Sequence, residues 1–199
     1  MNSDGGTRAY RMDVRARSTA ATRERILAAT LATFFDAPTL DVPLRTVAER
    51  AGVSVQTVLR HFESKDGLVA AAAAYTAGRI GDQRDRAPVG DLTGAVENLV
   101  AHYEELGDGV VRMLAEETRN PALSVVADQG RAYHREWCAR VFAGGLAHTP
   151  EADRPRRLAQ VVAVCDVFTW KLLRRDQGLS RDETTRALVE LLRPLLQES

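Results

Sequence analysis

Two groups of residues in this chain of 199 residues have the types and the spacing that chemistry requires. The first is the segment Ser54–His61, whose side chains are short and polar or small, with one arginine, Arg60. On a helix about 10 to 12 Å across, such side chains would meet the base edges of a DNA major groove about 12 Å wide, with no bulky group in the way. The chemistry expected of this group is recognition by hydrogen bonds.

The second group is the pair His134 and Cys138, which are four residues apart and therefore share one face of a helix. A thiolate–imidazole pair, or half of a metal site, would have this spacing. A structural zinc site needs four ligands, and the sequence contains neither a C-x-x-C motif nor a second histidine cluster. We therefore expect no enzyme activity, no metal and no cofactor.

The elements around Ser54 are expected to position the first group. Pro43 opens a short helix, Ala51-Gly52-Val53 forms a three-residue turn, and Ser54 caps a second short helix that ends at Phe62. Gly52 allows the left-handed backbone that such a turn needs. Two short helices joined in this way are typical of a helix-turn-helix, whose second helix enters the major groove. An ordinary helical hairpin inside an all-α core would contain the same turn.

Nearly every segment of the chain has the helical period, and no alternating, strand-like segment is bounded by turn residues. The sequence therefore predicts an all-α protein of about nine helices, in which a three-helix head is followed by a helical bundle. Gly107 is predicted to separate the fifth helix from the sixth. A long eighth helix is predicted over 156–177, and it is apolar on more than one face between Leu158 and Leu173.

The charge is dense but balanced, with 27 basic and 27 acidic side chains and a formal net charge of zero. This balance excludes a disordered tail and a bulk polyanion binder, so any contact with nucleic acid must be local. The longest apolar run, 158–170, is shorter than the roughly 20 residues of a membrane span, and the first 20 residues lack the apolar stretch of a secretory signal. We expect a cytoplasmic protein without a membrane helix. The basic side chains are 25 arginines and 2 lysines.

The segment 46–68, TVAERAGVSVQTVLRHFESKDGL, resembles the signature T-v-A-x-x-A-G-V-S-x-x-T-l-Y-R-H-F-x-S-K-x-x-L of the tetracycline-repressor (TetR) family of bacterial regulators. The resemblance extends over 18–68. One position departs from the family pattern, because Leu59 stands where the family usually has a tyrosine that often contacts a backbone phosphate. One phosphate contact fewer would lower the affinity for DNA or make its salt dependence shallower.

This resemblance implies a DNA reader at the N-terminus and a C-terminal domain that dimerises and binds a small effector. The expected parts are a flexible arginine-rich arm over 1–17, a helix-turn-helix domain over 18–65 and a ligand-binding and dimerisation domain over 66–199. The arm is basic, since residues 8–25 hold six arginines against two acidic residues. Its Arg15 and Arg17 would enter the adjacent minor groove, or the arm would be a solvated basic tail.

Contacts with DNA are expected from both short helices. Glutamine can pair bidentately with adenine, and valine can touch a thymine methyl group. The expected contacts to base edges are Arg45, Val55 and Gln56. The expected contacts to phosphates, which position the protein without specifying sequence, are Thr46, Thr57, Arg60, His61 and Lys65.

A two-fold dimer is expected because one short helix reads only a few base pairs. Pairing of the eighth and ninth helices with their symmetry mates would form a four-helix interface, whereas an internal core helix of a monomer would have the same apolar pattern. The interface candidates are Leu158, Val161, Val162, Cys165, Leu172, Leu188 and Leu192.

An effector pocket is expected among the fifth to eighth helices, where aromatic and polar groups converge, although each of these residues alone could be plain core. The candidates are His102, Tyr103, Met113, Tyr133, His134, Trp137, Asp166, Phe168 and Trp170. Asp166 stands out because a carboxylate in an apolar helix must be paired, protonated or facing a cavity.

The function expected from these features is a repressor that binds a palindromic operator in double-stranded DNA as a homodimer. A small, largely apolar effector would release it by favouring a dimer whose reading heads no longer match successive major grooves. The alternative is a helical module that binds protein partners and whose DNA binding is weakened, as Leu59 would allow.

Overall fold

The structure, a computed structural model, describes residues 4–36, 42–119 and 121–196, with side chains from residue 17 onward except at residue 122. Within these ranges the chain is all-α, as predicted, and contains no β-strand. The α-helices are α1 (Asp4–Asp36), α2 (Leu44–Ala51), α3 (Val55–Phe62), α4 (Lys65–Arg84), α5 (Leu92–Glu116), α6 (Pro121–Val141), α7 (Ala143–Ala147), α8 (Arg154–Val164), α9 (Val167–Lys171) and α10 (Arg181–Leu196). Short 3-10 turns at Glu117–Arg119 and Glu151–Asp153 and a π-helical segment at Leu172–Asp176 lie between them.

The chain divides into two compact units, Met1–Thr76 and Ala77–Ser199, and α4 runs from the first into the second. The first unit has an apolar core to which α1 to α4 all contribute. The side chains in this core that are at most 2% exposed are Ile26, Leu27, Val47, Ala48, Val58 and Leu68. Burial of such side chains is the main source of stability for so small a unit.

The second unit is built around α5, α6, α8, α9 and α10, and the two tryptophans of the chain lie in its core. Side-chain hydrogen bonds tie the end of α4 into this unit. The amide Nε2 of Gln83 donates to the carbonyl of Asn98 at 3.0 Å, and Nδ2 of Asn98 donates back to the carbonyl of Gln83 at 2.9 Å. Nε1 of Trp137 donates to the carbonyl of Arg84 at 2.9 Å, so one of the last carbonyls of α4 has a partner on α6.

Gly107 does not end a helix, contrary to the prediction of separate fifth and sixth helices. It lies buried within the continuous α5. A Cβ atom at this position would lie 2.5 Å from Cζ3 of Trp170. The glycine is there because the indole packs against the helix backbone, which outweighs its low helix propensity.

The predicted eighth helix is divided in two at Cys165 and Asp166. Asp166 has an extended backbone and is the N-cap of α9, where its carboxylate accepts the backbone N–H of Phe168 at 2.8 Å. The hydroxyl of Thr169 donates to the carbonyl of Ala163 at 2.6 Å and so satisfies an orphan acceptor of α8. A capping residue inside the apolar run, which sequence reasoning treated as a candidate ligand contact, therefore breaks the helix.

At the other end of this region, the S-x-x-E spacing of Ser180 and Glu183 predicts a capping box for α10, and the structure confirms it. Oγ of Ser180 accepts the N–H of Glu183 at 3.2 Å, and the carboxylate of Glu183 accepts the N–H of Ser180 at 2.9 Å. The π-helical segment before it is held against α5 by two ion pairs. Arg174 binds Glu104 at 2.9 Å, and Arg175 binds Asp108 at 3.0 Å.

The first helix begins earlier than expected. Residues 4–17, which fall in the predicted flexible arm, have helical backbone as the first turns of α1. Arg15 belongs to the part of α1 whose side chains lie outside the described residues, and Arg17 is exposed.

Candidate nucleic-acid interface and bundle interior

The turn between α2 and α3 has the geometry predicted for a helix-turn-helix. Gly52 has φ 65° and ψ 39°, in the left-handed region, and its N–H bonds back to the carbonyls of Ala48 and Glu49. The N–H of Val53 also bonds to the carbonyl of Ala48, at 3.0 Å. Ser54 caps α3 by accepting the N–H of Thr57 at 3.1 Å. Both helices therefore end and begin at the residues that the sequence indicated.

The faces of α2 and α3 separate apolar from polar side chains. Val47, Val58 and Phe62 are buried in the first unit, whereas Val53 in the turn is half-buried. Of the residues predicted to contact DNA, those that are exposed are Arg45, Gln56, Arg60 and Lys65, and those that are half-buried are Thr46, Val55, Thr57 and His61. All eight thus keep some accessible surface, which contact with DNA requires.

Two of these residues already have protein partners. Nε of Arg45 lies 2.9 Å from Oε1 of Glu49 in an exposed i,i+4 pair, with the arginine side chain 87% exposed. An exposed pair of this kind is weak, so a phosphate or a base could compete for the guanidinium. Oγ1 of Thr57 lies 3.0 Å from Oγ of Ser54, and its hydroxyl therefore also supports the cap of α3.

The predicted pocket residues are spread over the interior and the surface of the second unit. His102, Tyr103, Trp137 and Trp170 are buried; Met113, Tyr133, His134 and Asp166 are half-buried; and Phe168 is 52% exposed. The buried aromatic rings form two groups. Tyr103 packs beside Trp170 with ring centroids 5.7 Å apart, and Trp137 stacks on His134 with an interplanar angle of 12°.

Arg84, the last residue of α4, lies at the centre of the second group. Its side chain is 3% exposed, and its Cζ is 4.0 Å from the ring centroid of Trp137 and 6.0 Å from that of Tyr133. Its Nη2 lies 3.1 Å from Nδ1 of His134. Because a guanidinium can only donate, Nδ1 is the acceptor, and the ring proton sits on Nε2, which faces the carbonyl of Val162 at 3.4 Å.

The charge on Arg84 affects the titratable groups around it. Burial, followed by the charge of Arg84, lowers the pKa of His102 to about 3. A hydrogen bond with Cys165, and then the neighbouring His134 and Arg84, lower the pKa of the Cys138 thiol. Burial raises the pKa of Tyr103, whose hydroxyl donates to the carbonyl of Cys165 at 2.9 Å.

The histidine–cysteine pair is brought together as its spacing indicated, with Sγ of Cys138 3.8 Å from Nε2 of His134. Cys138 is 0% exposed, so the pair presents no nucleophile at the surface. In the part of the chain that the structure describes, no three side chains of His, Cys, Asp or Glu come together as ligands for a metal ion.

Most of the predicted interface residues lie inside the protomer. Val161, Cys165, Leu188 and Leu192 are at most 1% exposed, because they pack in the core of the second unit. This burial leaves them no surface for a partner chain and corrects that part of the prediction. Leu158 and Val162 are half-buried, and Leu172 is 51% exposed.

Comparison with known proteins gives matches over both units. Residues 26–72 match the family model described as bacterial regulatory proteins, tetR family. The HTH-type transcriptional repressor KstR of Mycolicibacterium smegmatis is 36% identical over 162 residues, which cover 76% of this chain and 74% of that protein. The repressor of the same name from Mycobacterium tuberculosis is 29% identical over 162 residues, covering 76% of this chain and 69% of that protein.

Solved structures have the same fold at low sequence identity. A TetR transcription regulator from Haloarcula marismortui has a TM-score of 0.71 at 19% identity, covering 89% of this chain and 100% of that one. A transcriptional regulator from Rhodococcus sp. Rha1 has a TM-score of 0.69 at 20% identity, covering 88% of this chain and 96% of that one. Among the described residues, no helix is long and apolar enough to cross a membrane.

Proposed function

Because this chain belongs to the TetR family of bacterial transcriptional regulators, and thus to DNA-binding proteins, we propose that it represses transcription as a homodimer on a palindromic operator and is released by a small, largely apolar molecule. The observation that carries the DNA-reading part is the α2–α3 turn at Gly52, with the polar face of α3 left accessible. Acting on bacterial DNA, the protein would work in the cytoplasm.

The reading residues are assigned from their exposure and chemistry. Gln56 is exposed near the start of α3, where a side chain would reach base edges, and Val55 and Arg45 would join it. Thr46, Thr57, Arg60, His61 and Lys65 would bind phosphates. Arg15 and Arg17 would follow the adjacent minor groove from the early turns of α1. The reading part, 18–65, would then lie within the first unit.

Dimerisation is supported by the need for two half-sites and by apolar side chains that the second unit leaves in the open. Each good base contact is worth roughly 1 to 3 kcal/mol, so one short helix cannot discriminate an operator from a genome. Phe168, Leu172 and Leu191 are 52%, 51% and 47% exposed on the α9–α10 part of the second unit. An isologous contact through this surface would cover them.

The experiment is the selection of binding sites from random duplex DNA with the full-length protein at two salt concentrations. A palindromic motif whose enrichment falls with salt is the expected result. No motif at either salt would count against a repressor that binds DNA without ligand, and would favour the module for protein partners that Leu59 suggested.

Variants make this test specific. Gln56→Ala is expected to change the preferred bases at one position, while Arg60→Ala weakens binding to all sequences and reduces the salt slope by about 1. The matched control is Gln129→Ala, an exposed glutamine of α6 in the second unit, which should keep the motif of the parent protein. A Gln56→Ala variant with an unchanged motif would remove Gln56 from the base contacts.

A further inference from the structure

Arg84 is a buried cation without a carboxylate partner among the described residues. Its guanidinium is 3% exposed, and within the described residues no carboxylate lies at ion-pair distance from it. Its Nε is buried and has no hydrogen-bond partner. The one side-chain hydrogen bond that it makes there is from Nη2 to His134. The buried face of this guanidinium therefore has a donor left over.

Three more accessible arginines of the same unit have carboxylate partners. Arg131 binds Glu117 at 2.8 Å, Arg140 binds Asp85, and Arg174 binds Glu104 at 2.9 Å. Removing a cation from water is costly, and an uncompensated buried charge costs more than a paired one. Arg84, the arginine for which the lack of a carboxylate partner costs most, is the buried one.

The neighbours of Arg84 reduce this cost but do not remove it. The faces of Trp137 and Tyr133 attract the cation through their ring electrons. His134 accepts one hydrogen bond, and His102 is neutral at ordinary pH because its pKa is lowered to about 3. The Cys138 thiol, whose pKa the charge of Arg84 helps to lower, contacts Cys165 and His134 and has no hydrogen bond to the guanidinium. None of these groups accepts from Nε.

We propose that Arg84 binds the carboxylate of an organic acid inside the second unit, and that this acid is the effector of the proposed repressor. The acid site itself is independent of the proposed function, and only the role of the acid as effector rests on it. A carboxylate is planar, singly charged and has two oxygens, which matches the donor fork of a guanidinium. The aromatic side chains around Arg84 suit an apolar body attached to that carboxylate.

We expect an acid to reach Arg84 past Tyr133 and His134 on α6. Both residues contact the buried guanidinium and are themselves half-buried. Trp137, which also contacts it, is 1% exposed. The carboxylate of an acid that entered past Tyr133 would accept the free Nε–H of Arg84, while the apolar part of the acid would contact the aromatic rings.

Thermal unfolding of the full-length protein, without DNA, tests this inference. The probes are sodium octanoate, sodium benzoate and sodium phenylacetate, with octanamide, benzamide and phenylacetamide as uncharged analogues. Sodium chloride and sodium phosphate at the same ionic strength are the controls for a general effect of anions. The expected result is a midpoint that rises with the concentration of at least one acid and not with its amide, since a ligand that binds only the folded state stabilises it.

Two variants identify the residue. Arg84→Met keeps an unbranched apolar stem and removes the guanidinium with its charge, and it should bind the responding acid about tenfold more weakly or worse. Arg79→Met is the matched control, because Arg79 is also on α4 but is exposed and paired with Glu105. It should respond as the parent protein does.

A separate measurement distinguishes a ligand-binding residue from a structural one. If Arg84 carries an uncompensated charge, Arg84→Met without ligand should unfold at the same or a higher denaturant concentration than the parent protein. A clear loss of stability would overturn the inference, because it would make the cation part of the fold. Equal responses to acid and amide, or a response to chloride or phosphate as large as that to the acids, would also overturn it.

The outcomes for DNA binding are independent of these. An acid that stabilises the parent protein through Arg84, in a protein that selects no DNA motif, would contradict the proposed function and leave the acid site standing. A protein that selects a palindromic motif and responds to none of the acids would contradict the acid site and leave the DNA-reading function standing.

Discussion

The indole of Trp170 occupies the place where a side chain at position 107 would begin. Three ring atoms of Trp170 would lie between 2.5 and 3.0 Å from a Cβ atom built on Gly107. Trp170 itself is 0% exposed, and its Nε1 donates to Glu104 one turn earlier on α5 at 3.2 Å. The close approach of α5 and α9 therefore depends on a residue without a side chain.

Replacement of Gly107 by alanine should destabilise the protein even though alanine is the better helix former. Overpacking of a core typically costs about 1 to 3 kcal/mol, which exceeds the gain of about 0.5 to 1 kcal/mol in helix propensity. Urea unfolding of the two proteins measures the difference. Gly130→Ala on α6 is the control, because nothing lies within 4 Å of its Cβ position, and that variant should be slightly more stable. Equal effects at the two positions would contradict the packing argument.

His102 should make stability fall in acid. Its pKa is about 3 in the folded protein and about 6.5 in the unfolded chain, so the unfolded state binds more protons between these values. The stabilisation is complete above about pH 6.5 and is lost as the pH falls toward 3. The free energy of unfolding, measured from pH 7 to 4, should decrease less in His102→Gln than in the parent protein.

The matched control for this titration is His148→Gln, at an exposed histidine outside the aromatic groups. It is expected to follow the pH dependence of the parent protein. If His102→Gln and the parent lost stability in parallel over this range, protonation of His102 would not be a source of the acid sensitivity.

Leu59 stands where the family signature has tyrosine, and it is 36% exposed on α3. Leu59→Tyr should bind operator DNA more tightly, because the new hydroxyl can donate to a phosphate, a hydrogen bond worth roughly 0.5 to 1.5 kcal/mol. Fluorescence anisotropy with a selected duplex measures the affinity. Leu59→Phe adds the ring without the hydroxyl and should gain less. Equal increases in DNA affinity in the two variants would mean that the aromatic ring, and not the hydroxyl, makes the new contact with DNA.

The exposed Leu172 is expected to lie at the dimer contact. Light scattering of the parent protein at micromolar concentration should give the mass of a dimer, and Leu172→Asp should shift it toward a monomer by burying an unpaired charge in the contact. The control is Val125→Asp, since Val125 is 56% exposed and lies on α6, a helix outside the proposed contact. A monomeric parent protein would contradict the proposed mode of operator binding.

The parts of the fold that were predicted correctly are those determined by residues close together in the sequence. The turn at Gly52 and the capping box of Ser180 and Glu183 each depend on residues within a few positions of one another, and both are confirmed. The all-α class follows from periodicity, which is equally local. Short-range patterns of this kind are visible without knowing how the chain packs.

The features that were missed depend on partners far away in sequence. An arginine at the end of a helix normally faces water, and side chains about 50 residues later on α6, Trp137 among them, give Arg84 a buried environment. A glycine at position 107 looks the same in the sequence whether it ends a helix or makes room for the ring of Trp170. Only the packing of Trp170 against α5 distinguishes the two. For Asp166 the sequence left open whether the carboxylate is paired, protonated or facing a cavity. In the structure it caps α9 at the break after α8, which was not among these possibilities.

Because the sequence contains only two lysines, their side-chain amines can be followed individually by chemical labelling. The two lysines of the sequence fall one in each unit, Lys65 at the start of α4 in the first and Lys171 in the second. Amine-selective acylation followed by peptide mass spectrometry can thus follow the units separately in one sample. Lys171, paired with Asp176 at 2.9 Å, serves as the internal reference, and protection of Lys65 by duplex DNA reports occupancy of the reading head.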